Sequence, residues 1–491
     1  MLRSGSLVAV AAALLAPGLA VGPSPDAALF VLAGARIDAG YAPYRDLWDQ
    51  KPPGVYVLNA VGQRVLPWLD PWLVGWLLTV VFVGAAAVVF ERLLRSRLGP
   101  TSAYCWSLVC LIGIASFPMA LGGGLTESFA ILPLVAALWA VVRSESSLRA
   151  AALVGCSLSL ACLLSLQALP AAAVLSVAAV WQGGSRRGRT GRAVALLVGG
   201  AIIPLGVAAW LIARGALGDA IDQVLTYNAA YRNSASQAAD LVGVASLLLA
   251  GLAIPAAVTA LLMVRHPRSF DRLDWSSLAW VLAYVLYVAY QGRIYFHYLI
   301  ILAPPAVWLA ASGISWLAAH GRSPDRRIRL GRAALLAGTA CLLAVSALTV
   351  LGLMTGIGAI SKDRAKLTET ASWIEGNTAA PATLFVWGYE PDLFLLSHRP
   401  PYDLYVSLFP FFTPGYSTPA RFTALLVDWT KSPPAVIVES HAPAPLLRQA
   451  SGTAEGQAYP GLGTLRDFVR THYHRAATFG DFDVLVFITG S

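Results

Sequence analysis

The sequence predicts a polytopic all-α membrane module followed by a small α/β domain held outside the membrane, and three observations carry that reading. The 491 residues are 57% hydrophobic and only 12% charged, about half the charge of an ordinary soluble chain. Arginines cluster at alternate ends of the apolar runs, the asymmetry that orients membrane helices. From about residue 360 onward charged residues, prolines and histidines return and apolar runs shorten, the composition of a soluble domain of ordinary size.

The chain opens with Met1-Leu2-Arg3 and an apolar run from about Leu7 to Val21, short and interrupted by Pro17 and Gly18. This suits either a signal peptide or a retained first span. Retained, it begins an alternation of about eleven spans, near 7–22, 72–94, 103–120, 126–142, 149–166, 168–181, 193–214, 241–264, 276–291, 296–318 and 331–354. Basic residues follow the second span (Arg92, Arg95, Arg97), the fourth (Arg143, Arg149), the sixth (Arg186, Arg187, Arg189, Arg192), the eighth (Arg265, Arg268, Arg272) and the tenth (Arg322, Arg326, Arg327, Arg329, Arg332). By the positive-inside rule these loops and the N-terminus are cytoplasmic. The first loop (23–71), the glycine turn Gly122-Gly123-Gly124, the segment 215–240 and everything beyond the last span then face outward.

The predicted division is a membrane module over 1–358 and an extracytoplasmic α/β domain over 359–491. In the latter, Lys366–Asn377, Pro391–Ser397 and Leu462–His472 read as helices, while Thr383–Gly388, Ala435–Glu439 and Asp483–Ile488 read as strands, an alternation typical of a layered α/β unit. The net charge of +9 belongs to topology-setting arginines between spans rather than to a nucleic-acid face. The five cysteines, Cys105, Cys110, Cys156, Cys162 and Cys341, all fall in apolar spans, so there is neither a disulfide framework nor a CxxC metal pattern.

Chemistry concentrates at the outward-facing ends of the spans. The stretch Gly40–Tyr56 sets Tyr44, Arg45, Asp46, Asp49 and Lys51 among aromatic rings, and Pro52-Pro53 forces Lys51 out of helical geometry. It reads either as a site at a bilayer surface or as a solvated loop with internally paired charges. Asp26 follows the first span within Ser24-Pro25-Asp26, which is helix-start chemistry and equally a carboxylate at the outer lip, able to act as a general base. Glu127 opens the fourth span after three glycines; an acid at a span edge tends to be functional, and Thr126-Glu127 also suits helix capping. Arg293, with His297 and Tyr298 following, stands where topology requires no positive charge. A guanidinium there suits a phosphate, or anchors at the headgroups beside an aromatic belt. His472-Tyr473-His474 supplies two histidines without a third ligand and reads as surface.

Taken together, Gly40–Gly54 with Lys51-Pro52-Pro53, Asp26, Thr126-Glu127, and Arg293 with His297-Tyr298 resemble the bacterial GT-C glycosyltransferases related to protein O-mannosyltransferases and lipid A aminoarabinose transferases. The run Phe385–Pro391 also looks like the outer domain of bacterial members. The resemblance implies a bacterial plasma-membrane enzyme that moves a sugar from a polyprenyl-phosphate donor, such as undecaprenyl-phosphate, to a protein, lipid or glycan acceptor at the outer face. It implies Asp26 as the catalytic acid, Glu127 as a second acid, and Lys51, Arg293 and His297 on the donor phosphate. Tyr44, Arg45, Asp46, Asp49 and Tyr298 are supporting candidates. Ala27 departs from the family, many of whose members carry glutamate directly after the aspartate. A paired-acid metal site is therefore not supplied, and dependence on a divalent cation stays open. The soluble domain, which lacks a constellation of its own, is expected to shape acceptor access. The rival readings are a transporter of lipid-linked sugar, which would place ionisable residues near span centres, and a non-catalytic anchor, for which one span would suffice.

Overall fold

Helix starts in this chain are written in its prolines and small polar residues. In the computed structural model, which describes residues 2–143, 147–182, 184–233, 244–292, 295–320, 363–440 and 461–488, the helices are α1 (Leu2–Leu15), α2 (Pro17–Val21), α3 (Pro25–Asp38), α4 (Gly54–Val65), α5 (Pro71–Leu94), α6 (Pro100–Ala115), α7 (Phe117–Ala120), α8 (Thr126–Arg143), α9 (Leu148–Leu164), α10 (Leu169–Trp181), α11 (Arg186–Ala213), α12 (Leu217–Ile221), α13 (Tyr227–Asn233), α14 (Val244–Arg265), α15 (Arg272–Gln291) and α16 (Ala303–Ala319). Pro25, Pro71 and Pro100 each open a helix, where a missing N–H costs nothing. Asp70 caps α5 by accepting from the backbone N–H of Trp72 and Leu73 at 2.9 and 3.1 Å, and Asp271 with Asp274 forms a capping box on α15.

Among the described residues, five helical stretches are long and apolar enough to cross a membrane: Arg3–Val21, Pro71–Leu94, Arg186–Ala213, Arg272–Gln291 and Phe296–Ala319. Shorter apolar helices include Pro100–Ala115, Thr126–Val142, Leu148–Leu164, Leu166–Trp181 and Pro255–Arg265. The eleventh expected span, 331–354, lies outside the described residues. The span expected at 296–318 begins differently from a plain α-helix. Phe296–Leu302 winds as a 3-10 helix before α16, and Pro304 and Pro305 fall in the first turn of α16, where a missing N–H costs nothing.

Charge buried among these helices is tied down locally. The Asp274 carboxylate, fully buried, accepts from Arg97, from Ser312 Oγ at 2.7 Å and from Trp308 Nε1 at 2.9 Å. That node clips the turn after α5 to α15 and α16 at one end of the bundle. The opposite end carries the α3–α4 hairpin, the starts of α8 and α10, and a layered unit.

In that unit, a helix over 363–377 (α17) is followed by β1 (Leu384–Trp387), α18 (Asp392–Leu396), α19 (Phe409–Phe412), α20 (Pro419–Lys431), β2 (Val436–Glu439), α21 (Leu462–His472), β3 (Tyr473–Phe479) and β4 (Phe482–Phe487). The sheet order is β1-β2-β4-β3, with β1 parallel to β2 and the other pairs antiparallel. β1 and β2 are buried at all eight positions, which is why they read as short continuous apolar runs. β3 is an addition to the expected strands. As an edge strand it is mostly solvated, with His474 exposed, so it carries no apolar alternation.

Aromatic packing and hydrogen bonds join this unit to the helices. Trp48 N–H donates to the Leu404 carbonyl at 2.8 Å, and Tyr416 OH donates to Asp222 Oδ2 at 2.5 Å. The Tyr227 ring packs edge to face with both Trp48 and Tyr416, its centroid 4.7 Å from that of Trp48.

Candidate active site

The loop between α3 and α4 folds back through a left-handed turn at Tyr44, whose φ is +68°, a conformation that costs a non-glycine residue roughly 1–3 kcal/mol. Surrounding bonds hold it. Tyr44 OH donates to the Lys51 carbonyl at 2.8 Å, and the Tyr44 carbonyl accepts from Gln223 Nε2 at 2.8 Å. Tyr56 OH lies 2.5 Å from Asp49 Oδ2 and 3.2 Å from the same Lys51 carbonyl. With its carbonyl fixed by two tyrosines and Pro52 following, Lys51 faces a cavity of about 490 Å³.

That cavity gathers residues from distant parts of the chain: Asp26, Lys51, Thr126, Glu127, His297 and Tyr298 all line it. Glu127 arrives by way of the glycine turn. Gly124 has φ +83°, and a Cβ there would stand 2.6 Å from Ala27 Cβ, so only glycine lets the start of α8 close against the start of α3. Glu127 is buried, and its Oε1 accepts from Ser165 Oγ at 3.0 Å. Asp26 is not the cap of its helix. Ser24 makes the cap, accepting from Ala27 N–H at 3.3 Å, while the Asp26 carboxylate turns to Tyr389 and accepts its hydroxyl hydrogen bond.

Two cations line this cavity, Lys51 and Arg232, the latter stacked over the Tyr290 ring at 4.5 Å; Lys51 is the one set among the acids. Burial on its own would lower its pKa, but the nearby Asp26, Tyr298, Glu127 and Asp49 outweigh that and hold the ammonium above the usual lysine range. Among the described residues it has no carboxylate within 4 Å. Behind it, burial pushes Asp49 up to about 6 even though Tyr56 and Lys51 act in the other direction. The cavity therefore gathers an ammonium and a guanidinium with two carboxylates, an imidazole and a ring of phenols. Such a set can hold a phosphate and accept a proton from a hydroxyl.

Neither a family model nor a curated protein sequence matches the chain. Its fold, however, is shared with solved structures. ArnT from Cupriavidus metallidurans bound to undecaprenyl phosphate aligns over 99% of this chain and 98% of its own, with a TM-score of 0.61 at 15% identity. The same protein in the apo state covers 98% and 97%, with a TM-score of 0.60 at 13% identity. The chain has the GT-C fold. The archaeal oligosaccharyltransferase AglB from Archaeoglobus fulgidus, in complex with an inhibitory peptide and a dolichol-phosphate, covers 89% of this chain and 69% of its own, with a TM-score of 0.50 at 11% identity.

Not every candidate residue reaches this GT-C cavity. Arg45 and Asp46 pair with each other at 2.8 Å on the exposed side of the loop, and Arg45 also donates to the Arg214 carbonyl. They lie instead at a separate shallow surface with Arg36, Tyr41 and Asp403. Tyr44 and Asp49 are buried behind Lys51 as supports. Arg293 lies outside the described residues; its sequence neighbours Gln291 and Tyr295 line the cavity.

The structure adds residues that sequence reasoning passed over. Ser165 and Gln167 enter from the break between α9 and α10, and Gln167 Nε2 donates to Gln291 Oε1 at 3.2 Å. Tyr389 and Phe409 come from the layered unit, which thus supplies part of the cavity wall as well as its surroundings. Tyr389 carries a signal in hindsight, since it stands just past the buried β1 within Gly388-Tyr389-Glu390. No three His, Cys, Asp or Glu side chains cluster to hold a metal among the described residues. With Asp26 held by Tyr389, Glu127 by Ser165 and an ammonium near both, the donor set does not resemble a divalent-cation site built from protein ligands alone.

Proposed function

We propose that the protein transfers a sugar from a polyprenyl-phosphate donor to an acceptor at the outer face of a bacterial plasma membrane. The observation that carries this reading is the meeting of Asp26, Lys51, Glu127, His297 and Tyr298 at one cavity, beneath a GT-C fold whose solved examples include ArnT bound to undecaprenyl phosphate. In this proposal about eleven spans form a module over 1–358, the N-terminus is cytoplasmic, and the α/β domain over 359–491 lies outside the cytoplasm.

Lys51 holds the donor phosphate with His297 and, from the segment next to it, Arg293. Asp26 takes the proton from the acceptor hydroxyl as its oxygen attacks the anomeric carbon. The bond from that carbon to the phosphate oxygen breaks, its electron pair leaves with the polyprenyl phosphate, and a single displacement inverts the sugar. Glu127, fixed by Ser165, orients the acceptor or the sugar ring through its second oxygen. Lys51 balances the negative charge gathering on the leaving phosphate.

The direct test is binding followed by turnover. The full chain in lipid nanodiscs is expected to bind undecaprenyl phosphate and to release it from an undecaprenyl-phosphate sugar when envelope acceptors are supplied. A native chain that binds neither lipid would remove the reading. Tyr389→Phe tests the part played by the layered unit. Loss of a hydrogen bond to a carboxylate is worth roughly 1.5–3 kcal/mol, so turnover is expected to fall by about tenfold or more with donor affinity within about twofold of native. Native turnover in that variant would return Tyr389 to a purely structural role.

A further inference from the structure

At the end of the bundle opposite the Asp26 cavity, a larger cavity of about 1060 Å³ opens where α8 and α10 finish and α15 begins. Its size matches sites that enclose a substantial ligand, which run to about 1,000 Å³. Its walls are aliphatic, from Val141, Val174, Val177 and Ala279, and Trp181 and Trp275 stand exposed beside it. Three guanidiniums line it: Arg97, Arg189 and Arg272.

These three are not equivalent. Arg97 is committed to Asp274 and, at 3.7 Å, to Asp271, the carboxylate that lines the cavity among the described residues. Arg189 stacks over the Trp181 ring at 5.1 Å and donates to the Gly184 carbonyl, and Arg272 opens α15. Neither Arg189 nor Arg272 has a carboxylate within 4 Å among the described residues. The geometry is therefore amphipathic in one direction, with an aliphatic slot leading to two guanidiniums that have no carboxylate partner among the described residues, at a level marked by tryptophans. Water alone leaves the slot unsatisfied, and a soluble anion would use only its rim.

We propose that this cavity binds an anionic glycerophospholipid of the cytoplasmic leaflet. One acyl chain lies along Val141, Val174, Val177 and Ala279, and the phosphate sits between Arg189 and Arg272. The proposed topology places this end of the bundle in the leaflet that is rich in anionic lipid, where each basic residue contributes roughly fivefold to association. The assignment is independent of sugar transfer, because it uses none of the residues around Asp26.

The test uses the full chain, stripped of lipid and offered equimolar phosphatidylglycerol and phosphatidylcholine with identical acyl chains, with bound lipid counted by native mass spectrometry. The native chain is expected to retain phosphatidylglycerol about tenfold over phosphatidylcholine. Arg189→Gln with Arg272→Gln should bring that ratio close to one. Val177→Trp should reduce retention of both lipids without changing the ratio, since it fills the slot and leaves the cations. Arg186→Gln with Arg187→Gln, on the same helix start but off the cavity, should keep the native preference. An unenriched native chain, or equal loss in both arginine pairs, overturns the site in favour of no binding or of general surface charge. Displacement of phosphatidylglycerol by equimolar undecaprenyl phosphate would overturn the chosen occupant and assign the cavity to the carrier lipid.

Discussion

Asp26→Asn is expected to slow sugar transfer by about a hundredfold or more while the variant inserts, folds and binds undecaprenyl phosphate as the native chain does. The amide keeps the size of the carboxylate and can still accept the Tyr389 hydroxyl, but it cannot take a proton from an acceptor. Because Ser24 and not Asp26 caps α3, the substitution leaves the helix start bonded. The remaining cost is the loss of a negative charge in the first helical turn, at most about 1 kcal/mol. Single-turnover release of undecaprenyl phosphate at saturating donor isolates the chemical step, and a melting curve checks the fold. A near-native rate would take the base role from Asp26. It would then fall to Glu127, since Asp46 and Asp49 do not line the cavity.

What the sequence discloses and what it hides follow from distance along the chain. Asp26, Lys51, Glu127 and His297 are visible because a charge or an imidazole at the edge of an apolar span is costly and stands out against its neighbours. The Lys51-Pro52-Pro53 run declares a fixed, extended lysine by local geometry alone. The role of Tyr389 is hidden by the same logic, although its run Phe385–Pro391 draws notice. Its partner Asp26 lies 363 residues away, and a tyrosine after a buried strand looks like any core aromatic. Ser165 and Gln167 hide for another reason, being uncharged polar residues at the end of an apolar helix, where nothing local says that a carboxylate waits across the bundle. The last domain holds no constellation of its own, so its sequence points only to an indirect role; one phenol delivered to a distant carboxylate nevertheless makes it part of the cavity wall.

Lys51→Met is expected to weaken undecaprenyl phosphate binding by about tenfold to a hundredfold, the worth of one or two charged hydrogen bonds at roughly 1.5–3 kcal/mol each, and to leave binding of the neutral alcohol undecaprenol unchanged. The complication is that the ammonium also offsets the charge of Asp26, Glu127 and Asp49, so its removal costs stability whether or not it touches a phosphate. A second substitution separates these effects. In Lys51→Met with Asp26→Asn the uncompensated carboxylate is gone, so the melting temperature should recover part of its loss, and the two changes should be non-additive in stability. Donor binding should not recover, because the phosphate still lacks its cation. If the double variant instead regains native affinity, Lys51 acts only by offsetting the negative charge of Asp26 that would repel the donor, and the phosphate contact passes to His297 and Arg293. Persistence of the binding defect beside rescued stability is the result that ties the loop from Tyr44 to Pro53 to the donor itself.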